Sequence, residues 1–552
     1  MKKRYVIGID FGTLSGRTVL LDAYTGKEIA VAEQGYAHGV MDKELPDGTP
    51  LPDRFALQHP SDYLDVLRNT IPAVLSRGKV DPAQVAGLGM DFTACTLLPI
   101  DEEGVPLCLK AEWESEPHAY VKLWKHHAAQ SEADEITALA AARGEDWLPV
   151  FGGKISCEWE LPKILEVLRK APHVFEATDR FTEAADWLSR VLTGKETHAA
   201  MFAGYKSLWR AETGYPDDAY FAALDPRLSG LIGGKISAEV NTAEQIAGTL
   251  SVSGAALTGL CVGTPVALPI IDAHAAMPAV GATAPGDFVM ILGTSACHLF
   301  HGARPAPVEG ICGYVTDAVV PGCTTFEAGQ ACFGDGISWF VHNLVPERYE
   351  NEAKSRGISI HALLRERAAL LRPGESGLLA LDWMNGNRSI LNNTDLSGML
   401  LGLTLATRPE EIYRALLEAA VFGSRVILEQ FEKNGLAVKE ICAAGGIAKK
   451  DPLIMQIYAD VLNKPIHVAD TAQAGAIGSA MYAAVAGGIY PDIAKAAQAL
   501  CAPASTVYQP QAENHEAYEA LYREYVTLYD YFGRGENSVM RYLRDVSQNA
   551  KN

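Results

Sequence analysis

The sequence predicts an α/β protein built from two related halves. Three observations carry this reading. Short β-rich runs alternate with segments of helical period, the pattern of a layered α/β architecture. A strand, glycine turn, strand unit occurs at the N-terminus and returns at mid-chain. The 552 residues, 48% hydrophobic and 21% charged, suit two to four folded domains and exclude both a small stapled scaffold and a disordered chain.

In chain order, Tyr5 to Ile9 reads as a buried strand, Asp10-Phe11-Gly12-Thr13 as a turn, and Arg17 to Leu21 as a second strand ending at Thr25-Gly26. The copy runs from Asp287 to Leu292, through Gly293-Thr294-Ser295, into Ala296 to Phe300. Pro409 to Phe431 is a helix, with Ile412, Leu416, Ala420, Gly423, Ile427 and Phe431 on one stripe and proline at its start. Glu440 to Ala444 reads as a strand, Gly445-Gly446 as a turn, and about Lys449 to Asn463 as one helix. Gly475, Gly478 and the alanines through Ala486 form a helix small enough on one face to pack very closely. No low-complexity linker marks a boundary, so the second hairpin sets it, giving residues 1–280 and 281–552. Six of the eight tryptophans fall between Trp113 and Trp209; aromatic faces suit sugar C–H surfaces, but we read this section chiefly as core packing or an oligomer interface, such as that of a homodimer.

Forty-seven basic against 67 acidic residues leave a net charge of −20, which excludes nucleic acid as a main partner and disfavours anionic membranes. A phosphate ligand stays open, because backbone N–H groups and a bound cation can make one pocket positive. The ten cysteines stand singly, without a Cys-x-x-Cys pair, which points to a reducing cytoplasm. The basic Met1-Lys2-Lys3-Arg4 is followed by an apolar run broken at Asp10, too early for a signal peptide, and no run has the length of a membrane span.

There is no P-loop, no Gly-x-Gly-x-x-Gly and no Gly-x-Ser-x-Gly. Asp10-Phe11-Gly12 spells a protein-kinase triplet but lacks that family's other motifs. What Asp10-Phe11-Gly12-Thr13 offers is a carboxylate that can hold Mg²⁺ through water, beside a glycine turn that can approach a phosphate. With Gly293-Thr294-Ser295 in the other half, two such turns can face one another and hold a polyphosphate from both sides.

These paired hairpins, Ala444-Gly445-Gly446-Ile447-Ala448-Lys449-Lys450-Asp451 and the small-faced helix from Gly475 resemble the ATPase core shared by actin, heat-shock chaperones and sugar kinases. Over nearly its whole length the chain resembles the FGGY carbohydrate kinases. Gly8 to Arg17, Gly89-Met90-Asp91-Phe92-Thr93-Ala94-Cys95-Thr96, Ile271-Asp272-Ala273-His274-Ala275 and Glu327-Ala328-Gly329-Gln330 place the resemblance closest to the family's L-ribulokinases. The resemblance implies two duplicated ribonuclease H-like domains with a central nucleotide cleft, ATP and Mg²⁺ as cofactors, and transfer of the γ-phosphoryl group to L-ribulose. A kinase for D-ribulose, D-xylulose or ribitol is the near alternative, and a non-catalytic actin-like nucleotide switch a remote one.

Asp272 follows the apolar run Val266 to Ile271, so it is expected at a strand exit as a helix N-cap. The family match makes it the general base that accepts the sugar hydroxyl proton. His274, two residues on, is expected to be a satisfied structural histidine. By resemblance Ala94, Lys206 and Glu327 contact the sugar, Asp10, Gly12, Thr13, Gly293 and Thr294 address Mg²⁺ and the phosphates, and Gly445 with Gly446 addresses adenosine. Two departures stand out. Glu112-Trp113-Glu114-Ser115-Glu116 lacks the arginine of the Trp-x-Asp-x-Arg segment of many relatives, and Arg388-Ser389-Ile390-Leu391 lacks a proline common after the Arg-Ser/Thr pair.

Overall fold

The structure is a computed structural model that describes residues 4–243, 245–471, 473–501, 504–535 and 537–549. The first large sheet contains β1 (Tyr5–Phe11), β2 (Ser15–Asp22), β3 (Glu28–Gly35), β4 (Val85–Phe92), β5 (Ile246–Thr249), β6 (Pro265–Ala267) and β7 (Ile270–Ile271). Its order is β3-β2-β1-β4-β6-β5, with β7 beside β4. The second contains β8 (Asp287–Leu292), β9 (Ala296–Gly302), β10 (Gly313–Thr316), β11 (Thr324–Gln330), β12 (Glu440–Ala444), β13 (Ile466–Ala469) and β14 (Ala504–Tyr508), in the order β10-β11-β9-β8-β12-β13-β14. Both follow one plan: β1 is antiparallel to β2 and parallel to β4, as β8 is antiparallel to β9 and parallel to β12. This is the duplicated ribonuclease H-like arrangement.

β1 is apolar almost throughout because helices or loops cover both faces of a central strand. It runs two residues further than the sequence reading allowed. Phe11 packs in the core against Phe92, with ring centroids 4.7 Å apart, so the strand carries Asp10 and Phe11 and the turn starts at Gly12.

Six helices matter for the site: α1 (Ala200–Lys206), α2 (Asp272–Ala279), α3 (Pro409–Lys433), α4 (Gly446–Lys450), α5 (Pro452–Leu462) and α6 (Ala474–Ala486). In α3 the stripe Leu416, Ala420, Ile427 and Phe431 is buried, and Glu411 reaches back to accept the Arg408 N–H at 2.7 Å. The single helix expected after Gly445-Gly446 is two. Pro452 cannot continue a helical ladder, and Asp451 caps the new helix by accepting from the N–H groups of Leu453 and Ile454 at 3.1 and 3.2 Å.

α6 comes from the second half yet packs on the first sheet. A Cβ on Gly8, Gly87 or Gly89 would collide with the carbonyl oxygens of Ala476, Ala483 or Ser479, so glycine in β1 and β4 is what admits this helix. Ala476, Ala480, Ala483 and Ala484 are buried in the same core as Val6, Ile7 and Leu88.

A second core lies under the second sheet, and a third fills the region between Met41 and Ile236. Trp147 and Trp159 are buried in that third core, with Trp113 and Trp124 packed against it, so the tryptophan-rich section is mostly packing. Among the described residues no helix is long and apolar enough to cross a membrane. All ten cysteines are free thiols.

Candidate active site

The parallel register of β1 and β4 sets Asp10 opposite Asp91, and β7 pairs with β4 so that Ile271 lies opposite Phe92. Three adjacent parallel strands therefore deliver Asp10, Asp91 and Asp272 to the same end of the first sheet. Ligands of open α/β sheets bind at that carboxyl end. Asp272 is the first residue of α2 and not its N-cap. Ile271, in extended conformation, takes the cap position, and the Asp272 carboxylate accepts the Ala273 N–H at 2.6 Å.

Crowding of these acids shapes their protonation. Burial and then the charge of Asp10 push Asp272 up to about 7. Burial, with Asp10 adding to it, holds Asp91 well above the usual carboxylate range, and burial raises Asp10 as well. Asp91 Oδ2 accepts from Ser479 at 2.7 Å, while Oδ1 has no hydrogen-bond partner.

One cavity of about 590 Å³ opens over this edge and is lined by both halves. All eleven residues singled out from the sequence line it: Asp10, Gly12, Thr13, Ala94, Lys206 and Asp272 from the first half, and Gly293, Thr294, Glu327, Gly445 and Gly446 from the second.

Each hairpin is closed by a backbone bond from its first glycine, to the third residue on in one and to the second in the other. Gly12 N–H donates to the Ser15 carbonyl and Gly293 N–H to the Ser295 carbonyl, each at 3.0 Å. Thr13 is held from outside: Gln58 donates to its carbonyl at 2.8 Å and the Trp124 indole to its hydroxyl at 3.2 Å. Gly445 has φ +96°, and a Cβ there would meet the Leu292 carbonyl at 2.5 Å, so the turn requires glycine. A Cβ on Gly446 would meet nothing within 4 Å, which leaves that face open for a flat ligand.

At the other end, Lys206 at the C-terminus of α1 meets Glu327 of β11, with Nζ 3.3 Å from each carboxylate oxygen. Burial alone would lower the Lys206 ammonium; Glu327 overrides it and holds it above its ordinary value. Glu327, which burial would raise, is instead brought down chiefly by Lys206.

His274 departs from expectation. It is fully buried, neither ring nitrogen has a hydrogen-bond partner, and Nε2 stands 3.9 Å from Glu327. Burial lowers it to about 4, so it is neutral at pH 7. It lines the cavity, where a ligand can supply the missing bond.

Sequence reasoning assigned no role to Asp91, Glu158 or Arg388. Asp91 sits inside a motif quoted from the sequence, and Arg388 drew notice only for the residue after it. Glu158 is the case with no sequence signal, whereas Trp124 belongs to the tryptophan-rich section and lines the cavity, as a sugar-facing aromatic would. Lys449 and Lys450 also line the cavity, beside the Gly445-Gly446 turn. The acidic segment Glu112 to Glu116 does not reach it, and Ser115 there donates to Asp47 at 2.5 Å.

Residues 5–279 match the family model described as FGGY family of carbohydrate kinases, N-terminal domain, and residues 288–487 match the corresponding C-terminal domain. The chain belongs to the FGGY carbohydrate kinases. Its curated relatives include a ribulokinase of Geobacillus thermodenitrificans, 50% identical over 556 residues, covering 100% of this chain and 98% of that one. Another, a ribulokinase of Halalkalibacterium halodurans, is 50% identical over 549 residues, covering 99% and 98%. Among solved structures, xylulose kinase from Rhodospirillum rubrum matches with a TM-score of 0.78 at 22% identity, covering 95% of this chain and 98% of that one. Glycerol kinase from Plasmodium falciparum with ADP matches at 0.75 and 15% identity, covering 96% and 98%. The structural likenesses establish the fold. As an FGGY carbohydrate kinase, the protein takes ATP and a carbohydrate as its two small-molecule substrates.

Proposed function

We propose that this chain phosphorylates L-ribulose at its terminal hydroxyl, yielding L-ribulose 5-phosphate and ADP. The observation that carries the reading is the one cavity that Asp272, both glycine hairpins and the Lys206–Glu327 pair line together. The sugar follows from ribulokinase relatives at about half identity across essentially the full chain.

In this scheme residues 1–280 supply Asp10, Gly12, Thr13 and the base, and residues 281–552 supply the second hairpin and the adenosine turn. Gly12, Thr13, Gly293 and Thr294 hold the polyphosphate. Adenosine lies against Gly445 and the open face of Gly446. Lys206 donates to sugar oxygens and Glu327 accepts from sugar hydroxyls, while Ala94 leaves room for the substrate. The attacking hydroxyl gives its proton to Asp272 as its oxygen bonds to the γ-phosphorus, and the bond from that phosphorus to the bridging oxygen breaks, with the electron pair leaving on ADP. Positioning and electrostatics dominate, since phosphoryl transfer requires no covalent enzyme intermediate.

Mg²⁺ fits the acidic end. Among the described residues no group of three or more His, Cys, Asp or Glu forms a metal cage. Mg²⁺ needs none, because it keeps several waters and takes one or two carboxylates besides phosphate oxygens. Asp10 would hold it, with Asp91 behind, whose Oδ1 lacks a partner. When bound, the ion supplies neutralisation of charge on the β- and γ-phosphate oxygens. The isolated thiols support a cytoplasmic location.

The test is ADP release from Mg-ATP with L-ribulose, D-ribulose, D-xylulose and ribitol, for the wild type and for Asp272→Asn. L-Ribulose should rank first, and the folded variant should lose activity by about 10²-fold or more. A different leading sugar would replace the substrate assignment, and a fully active variant would remove Asp272 as base.

A further inference from the structure

Beyond Lys206 and Glu327, a second ion pair lines the same cavity. Arg388 Nη2 lies 3.3 and 3.4 Å from the two carboxylate oxygens of Glu158. The two pairs mirror each other: Lys206 and Glu158 come from the first half, Glu327 and Arg388 from the second, so each bond crosses the cleft. The four charges alternate in sign.

Lys206, Glu327, Glu158 and Arg388 line both the main cavity and a side cavity of about 50 Å³, whereas Asp10 and Asp272 line the main cavity alone, so both pairs stand where the main cavity meets the side one. The side cavity is also lined by Lys154, Ser156 and Asn392. Lys154 donates across it to the Asn392 carbonyl at 3.3 Å.

Neither member of the pair is used up by its partner. Glu158 also faces His127, whose Nε2 lies 3.4 Å from Oε1, yet Arg388 keeps 30% of its side-chain surface exposed and Glu158 19%. Of the five guanidinium N–H donors only those on Nη2 serve Glu158. Such a pair can present N–H donors and a carboxylate acceptor to a carbonyl with a neighbouring hydroxyl.

Resting on the proposed pentulose kinase activity, we infer that Glu158 and Arg388 determine specificity at the non-reacting end of the sugar. Arg388 donates to the C2 carbonyl oxygen and Glu158 accepts from the C1 hydroxyl, while Asp272 addresses the hydroxyl that is phosphorylated. A site built to hydrogen-bond a substrate carbonyl and hydroxyl rejects an analogue that lacks them more strongly than an apolar wall does.

The experiment compares L-ribulose with 1-deoxy-L-ribulose and with ribitol, which has a hydroxyl at C2. The proteins are the wild type, Arg388→Gln, and Glu158→Gln/Arg388→Gln, in which no lone charge is left. The wild type should show a KM at least ten-fold higher for both analogues, with kcat changed less. In the double variant the KM for L-ribulose should rise to that of the analogues and the discrimination vanish, while the KM for ATP stays within two-fold. Circular dichroism establishes that each variant is folded. Retained discrimination in a folded double variant would overturn the inference, and so would equal KM values in the wild type, a result that needs no variant to fold. If the wild type phosphorylates no pentulose at all, it is the function that fails, so the two failures are distinguishable.

Discussion

Asp272 could be marked from the sequence as a carboxylate at a strand exit, but its working state depends on neighbours brought from other strands. With burial and Asp10 raising it to about 7, a rising fraction is protonated below that pH and cannot accept the hydroxyl proton. The kcat/KM for the sugar should therefore climb with pH to a plateau above about 7. A profile flat from about pH 5.5 to 9 would show that Asp272 does not titrate as the base. Lys163 illustrates a residue that no motif reveals. It is fully buried, and its ammonium donates to the carbonyls of Cys95, Lys122 and Leu123 at 2.5, 3.2 and 3.0 Å. It thereby ties together the loop holding Ala94 and the segment leading to Trp124. Lys163→Met should cost about 1–3 kcal/mol in denaturant unfolding, since buried carbonyls lose their donor, and should raise the KM for sugar but not for ATP. An unchanged sugar KM would show that the two loops hold their geometry without it.

At the scale of elements, helical period and proline placement marked α3 almost to its ends, because a long amphipathic helix carries its signal locally. The split between α4 and α5 was readable in principle from Asp451-Pro452, a cap followed by a proline at the first helical position, yet the apolar spacing continued across it. The small face of α6 was also legible as a close-packing surface, though not the surface it meets. A Cβ on Gly478 would collide with the Ala275 carbonyl of α2, the helix that begins with Asp272. Gly478→Ala should destabilise the fold by about 1–3 kcal/mol and lower kcat, because the displaced helix carries Asp272, the proposed base. Stability lost with kcat unchanged would mean that α6, not α2, absorbs the shift.

For the whole molecule, the cavity exists only between the halves, and Lys206–Glu327 and Arg388–Glu158 both cross it. Sugar and nucleotide bound together should draw the halves closer and exclude water, which would otherwise hydrolyse ATP without product. Small-angle scattering with L-ribulose and a non-hydrolysable ATP analogue should give a smaller radius of gyration than either ligand alone. An unchanged profile would count against closure.

The sequence by itself determined the layered α/β class, the two related halves, the hairpins at Gly12 and Gly293, and the glycine turn at Gly445-Gly446, because each rests on local pattern: period, glycine and proline placement, short contiguous motifs. Tertiary structure alone decided that Asp10, Asp91 and Asp272 converge, since that needs the register of three strands distant in the chain. It also decided that a helix of the second half completes the first core, that His274 is left without a hydrogen-bond partner, and that Glu158, 230 residues from Arg388, meets it across the cleft. Contacts over such separations leave no periodic trace in the chain, because burial and charge pairing are set by what the fold brings alongside.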